Sequence, residues 1–284
     1  MLVAAECIAR GHSPVFLTRG YGGRASGPLR VIPGETTAAE AGDEPLLLAR
    51  AAPTIVARNR AVGARFIEAN VPGASLIIMD DGLQNGSLSK DLTIAVVDAK
   101  RGIGNGEIIP AGPLRAPIAF QLELTDAIVV NGPAGTQPEV PVRMRSVFDQ
   151  LRQQFQGPVL AASVEASGDA GWLGERPVAA FAGIGNPARF FATLRGLGAN
   201  VVTEKSFPDH HPFSDADARG LLLRATELSA MLVTTEKDMA RLAGCRGPDC
   251  RALTAATREL PVRLTFDDRD LLRLQTLIDS AARP

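Results

Sequence analysis

Asp209-His210-His211 sets two of the chain's three histidines beside an acid, in a loop bounded by Pro208 and Pro212. Imidazole next to carboxylate on a stiff loop is equipment for moving or orienting a proton, although histidines in such loops also serve structural ends. A second acidic feature ends the apolar run Leu76-Ile77-Ile78-Met79, which is followed by Asp80-Asp81. Adjacent carboxylates at a strand's carboxyl end repel one another unless a cation or strong donors lie between them. A Mg²⁺ that keeps part of its water shell suits such a pair; the plainer reading is a solvated turn before Gly82. Gly42-Asp43-Glu44-Pro45 places two acids at the start of a proline-initiated helical turn. There they either complement the helix dipole, worth about 0.3–1 kcal/mol, or supply a reactive carboxylate. Arg19, Arg24, Arg58, Arg60, Arg101 and Arg115 fall near strand ends or glycine-rich loops, where planar guanidinium suits phosphate. Any one of them taken singly reads equally well as basic surface.

The elements that must position these groups follow from hydrophobic pattern. Residues 1–10 read as a helix whose apolar face is Leu2, Val3, Ala4, Cys7 and Ile8, stopped at Gly11. Strands are expected at 14–18, 54–57, 76–79, 92–97 and 127–130, with a helix at 59–70 and a helix over 37–50 interrupted by Gly42-Asp43-Glu44-Pro45. The runs at 76–79 and 92–97 are continuously apolar, the pattern of strands covered on both faces. Beyond residue 157 the alternation restarts: strands at 178–182, 201–204, 231–234 and 262–266, and helices at 187–197, 214–228 and 269–282, with Ser214 as an N-cap. Strands alternating with helices imply a parallel α/β sheet with helices on both faces. A boundary is expected near residue 156, dividing 1–156 from a second, smaller α/β domain at 157–284, with the linker in the weakly patterned stretch 141–176.

Composition narrows the class. Lys plus Arg number 30 against 31 for Asp plus Glu, so the overall charge offers no reason to expect a nucleic-acid partner. Cys7, Cys245 and Cys250 are an odd and sparse set. They argue against a disulfide framework and read as separate thiols in a reducing compartment. No apolar run approaches the roughly 20 residues that cross a bilayer.

Seven segments taken together resemble one family. They are Thr18-Arg19-Gly20-Tyr21-Gly22-Gly23-Arg24, Gly42-Asp43-Glu44-Pro45, Asp80-Asp81-Gly82-Leu83-Gln84, Gly104-Asn105-Gly106 with Pro110-Ala111-Gly112-Pro113-Leu114-Arg115, Ala182-Gly183-Ile184-Gly185-Asn186-Pro187, Phe207-Pro208-Asp209-His210-His211 and Thr234-Thr235-Glu236-Lys237-Asp238. In order and spacing they are similar to tetraacyldisaccharide 4'-kinase, over nearly the whole chain. The resemblance implies a P-loop-NTPase-like parallel sheet and transfer of the ATP γ-phosphoryl group to the 4'-hydroxyl of tetraacyldisaccharide 1-phosphate, the lipid A precursor. It implies Asp43 as catalytic base with His210 as its partner, His211 being the alternative. It implies Asp80 and Asp81 as Mg²⁺ ligands, Gln84 as a polar group beside the nucleotide, and Arg60 and Arg115 as contacts to the anionic lipid. A peripheral place on the cytoplasmic face of the inner membrane follows in the same way.

Two departures accompany the resemblance. The motif G-x-x-x-x-G-K-[ST], expected just before the helix at Met1, does not occur in residues 1–284. The core is therefore expected to lack its first strand and phosphate loop, and the chain to bind ATP poorly and turn over slowly. Position 116 is Ala, where many members of the family carry Glu. A non-catalytic remnant that binds anionic glycolipid and a Mg²⁺-dependent phosphoesterase are the alternative readings.

Overall fold

The computed structural model describes residues 1–133 and 142–282. The first half of the chain forms α1 (Leu2–Ala9), β1 (Pro14–Thr18), β2 (Leu29–Arg30), α2 (Ala38–Ala41), α3 (Asp43–Leu48), β3 (Thr54–Val56), α4 (Arg60–Asn70), β4 (Leu76–Met79), β5 (Ile94–Asp98), α5 (Ile118–Glu123) and β6 (Ala127–Pro133). The second half forms α6 (Val142–Gln154), β7 (Val159–Ala166), β8 (Val178–Ala182), α7 (Pro187–Gly196), β9 (Val201–Ser206), α8 (Asp215–Glu227), β10 (Met231–Thr235), α9 (Glu236–Leu242), α10 (Pro248–Ala256), β11 (Thr257–Leu260), β12 (Val262–Phe266) and α11 (Asp268–Ala281). These elements gather into two compact units interleaved along the sequence. Unit 1 comprises Met1–Pro14, Val71–Glu165 and Arg263–Pro284; unit 2 comprises Val15–Asn70 and Ala166–Val262. The division at 156 follows chain order, whereas the compact units each take residues from both sides of it.

In unit 1 the sheet runs in the order β12-β7-β6-β5, with β6 parallel to both β5 and β7. The apolar run of β6 is explained by cover on both faces. Ile128 and Val130 pack on one side with Phe148, Leu151 and Phe155 from α6 and the residue after it. Val129 points the other way, with Leu160, Ala162, Leu274, Ile278 and Cys7. Within the stretch 141–176, expected as the linker, the chain passes from unit 1 to unit 2 between Glu165 and Ala166. Residue 141 lies outside the described residues, but α6 and β7 occupy most of the remainder. The i, i+3, i+7 spacing of Phe148, Leu151 and Phe155 is a helical stripe that its polar neighbours obscured. The expected cover of β5 also fails, because β5 ends the sheet order and Val96 is 65 % exposed.

Unit 2 carries a sheet in the order β11-β10-β8-β9, all parallel. Successive residues of β8 again serve opposite faces. Ala179 and Phe181 join Leu232, Leu221 and Leu253, while Val178, Ala180 and Ala182 join Val233, Phe190, Phe191 and Leu194. The same unit holds β1 parallel to β3, with β2 antiparallel on the far side of β3. A further difference concerns the cysteines: Cys245 and Cys250 are joined as a disulfide, Cα–Cα 5.8 Å, not separate thiols. The turn between α9 and α10 folds the chain back on itself, and that proximity is invisible in their spacing.

Candidate active site

In unit 2, Gly42 separates α2 from α3 with φ 92° and ψ 163°. A Cβ on Gly42 would collide with the Tyr21 carbonyl oxygen, so the Gly20–Gly23 loop can lie against this turn only while residue 42 is glycine. The break makes Asp43 the first residue of α3 and turns its side chain inward, where it is 4 % exposed. Asp43 Oδ1 accepts the Glu44 N–H at 3.0 Å. Asp43 Oδ2 accepts Arg241 Nε at 2.9 Å and Arg241 Nη2. His210 Nδ1 lies 3.3 Å from the same Oδ2. Burial by itself pushes the Asp43 carboxyl up; the Arg241 hydrogen bonds and charge, with His210 and Lys237, outweigh it and leave Asp43 below the ordinary carboxylate value.

The twin histidines have separate tasks. His210 sits in the left-handed region at φ 57°, held by its N–H to the Gly183 carbonyl at 3.1 Å. Its ring meets the exposed Tyr21 edge-on, centroids 5.7 Å apart. His211 turns away to Asp217 Oδ2, 3.1 Å from its Nε2, and stacks on Phe207 at 4.7 Å. Asp217 also closes the capping box of α8 with Ser214. Arg60, the first residue of α4, is 3 % exposed and donates to the Ala57 carbonyl at 2.8 Å.

Unit 1 holds the other predicted group. Asp80 and Asp81 follow β4, and Asp81 is in the left-handed region at φ 50°. Both oxygens of Asp81 accept from Arg115 Nη1, at 2.8 and 2.9 Å. Gln84 donates to Gln121 at 2.9 Å. Among the described residues no three His, Cys, Asp or Glu side chains gather into a metal cluster.

Arg241 and Asp238 were missed as site residues. The signal was present: an acid and an arginine three apart at the start of a helix, following Thr234-Thr235-Glu236-Lys237 at the end of a strand. Nothing local says that their partner is a carboxylate 198 residues away.

The fold places the chain among α/β proteins with parallel sheets flanked by helices, and its site sets a buried carboxylate beside an exposed imidazole. A family model described as Tetraacyldisaccharide-1-P 4'-kinase matches residues 1–281, and the chain belongs to that family. Among its relatives, the tetraacyldisaccharide 4'-kinase of Methylobacterium nodulans is 50 % identical over 267 residues, covering 93 % of this chain and 73 % of that protein. That of Rhodopseudomonas palustris strain BisA53 is 47 % identical, covering 90 % and 72 %. That of Parvibaculum lavamentivorans is 46 % identical, covering 99 % and 79 %. The crystal structure of LpxK from Aquifex aeolicus in complex with ATP shares the fold, with TM-score 0.70 and 23 % identity over 99 % of this chain and 83 % of that one.

Proposed function

We propose that this protein transfers the γ-phosphoryl group of ATP to the 4'-hydroxyl of tetraacyldisaccharide 1-phosphate in lipid A biosynthesis. The observation that carries the reading is the buried Asp43 carboxylate beside His210 Nδ1, in a chain matched along its length by the kinase family. In this scheme Asp43 takes the proton of the 4'-hydroxyl as its oxygen bonds to phosphorus and ADP leaves. His210 orients the carboxylate and receives part of the developing charge.

Two adjacent carboxylates on the carboxyl end of β4 are a hard-oxygen donor set that fits Mg²⁺, provided water and phosphate oxygens complete its shell. Asp80 and Asp81 would hold the ion, which when bound neutralises charge on the phosphate oxygens. Arg115 already engages Asp81 through an exposed pair, side chains 59 % and 58 % exposed. Such a pair is readily exchanged for a phosphate or the anionic head of the lipid. Arg60 is the second arginine assigned to the lipid, and Gln84 the polar group assigned to the nucleotide side. Among the described residues no helix is long and apolar enough to cross a membrane. The proposed place is a peripheral one at the cytoplasmic face of the inner membrane, reached through the lipid substrate.

The test is phosphoryl transfer from labelled ATP to the lipid disaccharide. Asp43→Ala is expected to lower kcat by about 10²–10⁴-fold, the usual size of a general-base contribution, with ATP binding unchanged. Turnover equal to the parent would remove Asp43 from the mechanism. Transfer of phosphate to water alone would favour a phosphoesterase.

A further inference from the structure

The segment Thr234-Thr235-Glu236-Lys237-Asp238 has no part in the scheme above, yet the fold brings it to Asp43. It spans the end of β10 and the start of α9, whose side chains meet those of α3: Lys237 pairs with Glu44 at 2.7 Å, and Arg241 pairs with Asp43. Arg241 is 8 % exposed and Asp238 is fully buried. One guanidinium therefore spans two carboxylates. Its Nε and Nη2 serve Asp43, while Nη1 serves Asp238 at 2.8 Å and the Gly183 carbonyl.

Gly183 ties the network to the imidazole. Its N–H donates to Asp238 at 3.1 Å, and its carbonyl accepts both Arg241 Nη1 and the His210 N–H. Asp238 is braced in turn by the Thr235 hydroxyl at 2.7 Å. The geometry points to Arg241 as the positioning residue of the pair, fixing the Asp43 carboxylate in one orientation and setting its separation from His210 through Gly183. Only a planar fork with several donors can serve both acids and the carbonyl at once; an ammonium cannot. Buried ion pairs are weak as stabilising devices, since an apolar replacement often does as well. Two buried charged groups, Arg241 and Asp238, arranged around one reactive carboxylate point to positioning. For its consequence in catalysis, the inference rests on the kinase reading.

The charged groups facing Asp43 are Arg241 and Lys237 from α9, His210 from the loop after β9, Glu44 on its own helix and Asp238 behind Arg241. Of these, Arg241 is the largest influence lowering the Asp43 carboxyl. Burial raises Asp238, more than Thr235, Gly183 and Arg241 lower it, with Asp43 adding to the rise. The two acids thus share one cation unequally, in favour of Asp43.

The experiment is a carboxyl ¹³C NMR titration of the 284-residue chain, with the Asp43 signal assigned by Asp43→Asn. The variants are Arg241→Lys, Asp238→Asn and the charge-neutral pair Arg241→Gln with Asp238→Asn. The neutral pair is expected to raise the Asp43 titration by about 1–3 units, the usual effect of losing an opposite charge at contact, and to move the His210 ring signals. Arg241→Lys should fall between it and the parent. Asp238 titrates above Asp43 and is neutral where Asp43 takes its proton, so Asp238→Asn, which keeps the guanidinium, should leave the Asp43 titration low; this variant decides the matter if the others do not fold. Folded Arg241 variants with unchanged Asp43 and His210 signals would overturn the role of Arg241, as would a raised Asp43 titration in Asp238→Asn, where the guanidinium is retained. In the transfer assay, the acid limb of kcat/KM should move with the NMR titration while KM for ATP stays constant. If the parent transfers no phosphate to the lipid but the titration shifts as expected, the kinase reading fails and the positioning role stands.

Discussion

Asp43 is the residue on which local and distant chemistry meet. Its sequence neighbours explain its place at the first turn of α3, where a carboxylate complements the helix dipole. They do not explain its burial at 4 % exposure, which is tolerable because Arg241 and the Glu44 N–H satisfy both oxygens. Because Arg241 and its neighbours hold Asp43 below the ordinary carboxylate value, this group contributes stability that is present above the unfolded-state value near ~3.9. That contribution is lost as pH falls through the lower folded-state value. Asp43→Asn should therefore cost about 1.5–3 kcal/mol at pH 7, the range for a hydrogen bond to a charged group. The gap from the parent should narrow at acid pH below the unfolded value, as urea unfolding at several pH values would show. A gap independent of pH would mean that Asp43 is not ionised against Arg241.

At the scale of elements, the site depends on where helices stop and start. The break between α2 and α3 was legible because Gly-Asp-Glu-Pro both ends a helix and begins one. Gly42 holds a backbone conformation that side chains rarely adopt, with no room for a Cβ beside the Tyr21 carbonyl. Gly42→Ala should destabilise the fold by about 1–3 kcal/mol, and the folded fraction should show a depressed kcat because Asp43 is the next residue. Thermal unfolding together with the transfer assay separates the two effects; a fully stable, fully active Gly42→Ala would show that the turn relaxes freely. Ser214 reads from the sequence as the N-cap of α8, and the structure adds Asp217, which completes a capping box and also anchors His211. That anchoring distinguishes the twin histidines, which their sequence left as alternatives.

At the scale of the molecule, family membership and compact units answer different questions. The chain covers 72 % to 79 % of the length of the relatives cited, and G-x-x-x-x-G-K-[ST] does not occur within its residues. Such a loop supplies the backbone N–H groups and lysine that grip a triphosphate. Residues 1–284 by themselves should hold ATP–Mg²⁺ only weakly, with a Kd on the order of millimolar or above, weaker than the ~1 μM–1 mM in which enzyme KM values usually fall. Calorimetry on the purified chain checks this. Micromolar binding would mean that another part of the chain grips the phosphates.

What the sequence determined by itself was whatever depends on near neighbours. Apolar runs marked β6, β8 and β10, glycine and proline marked the start of α3, and seven ordered motifs marked the family. Only the tertiary structure decided which groups meet across long separations: Asp43 with Arg241, and His210 rather than His211 with Asp43. It also decided the membership of the two compact units, which interleave along the chain, and the exposure of β5 at the end of its sheet. The physical reason is that helix and strand periodicity is encoded within a few residues. An ion pair between distant residues leaves no periodic trace; it is selected only when packing removes both partners from water together.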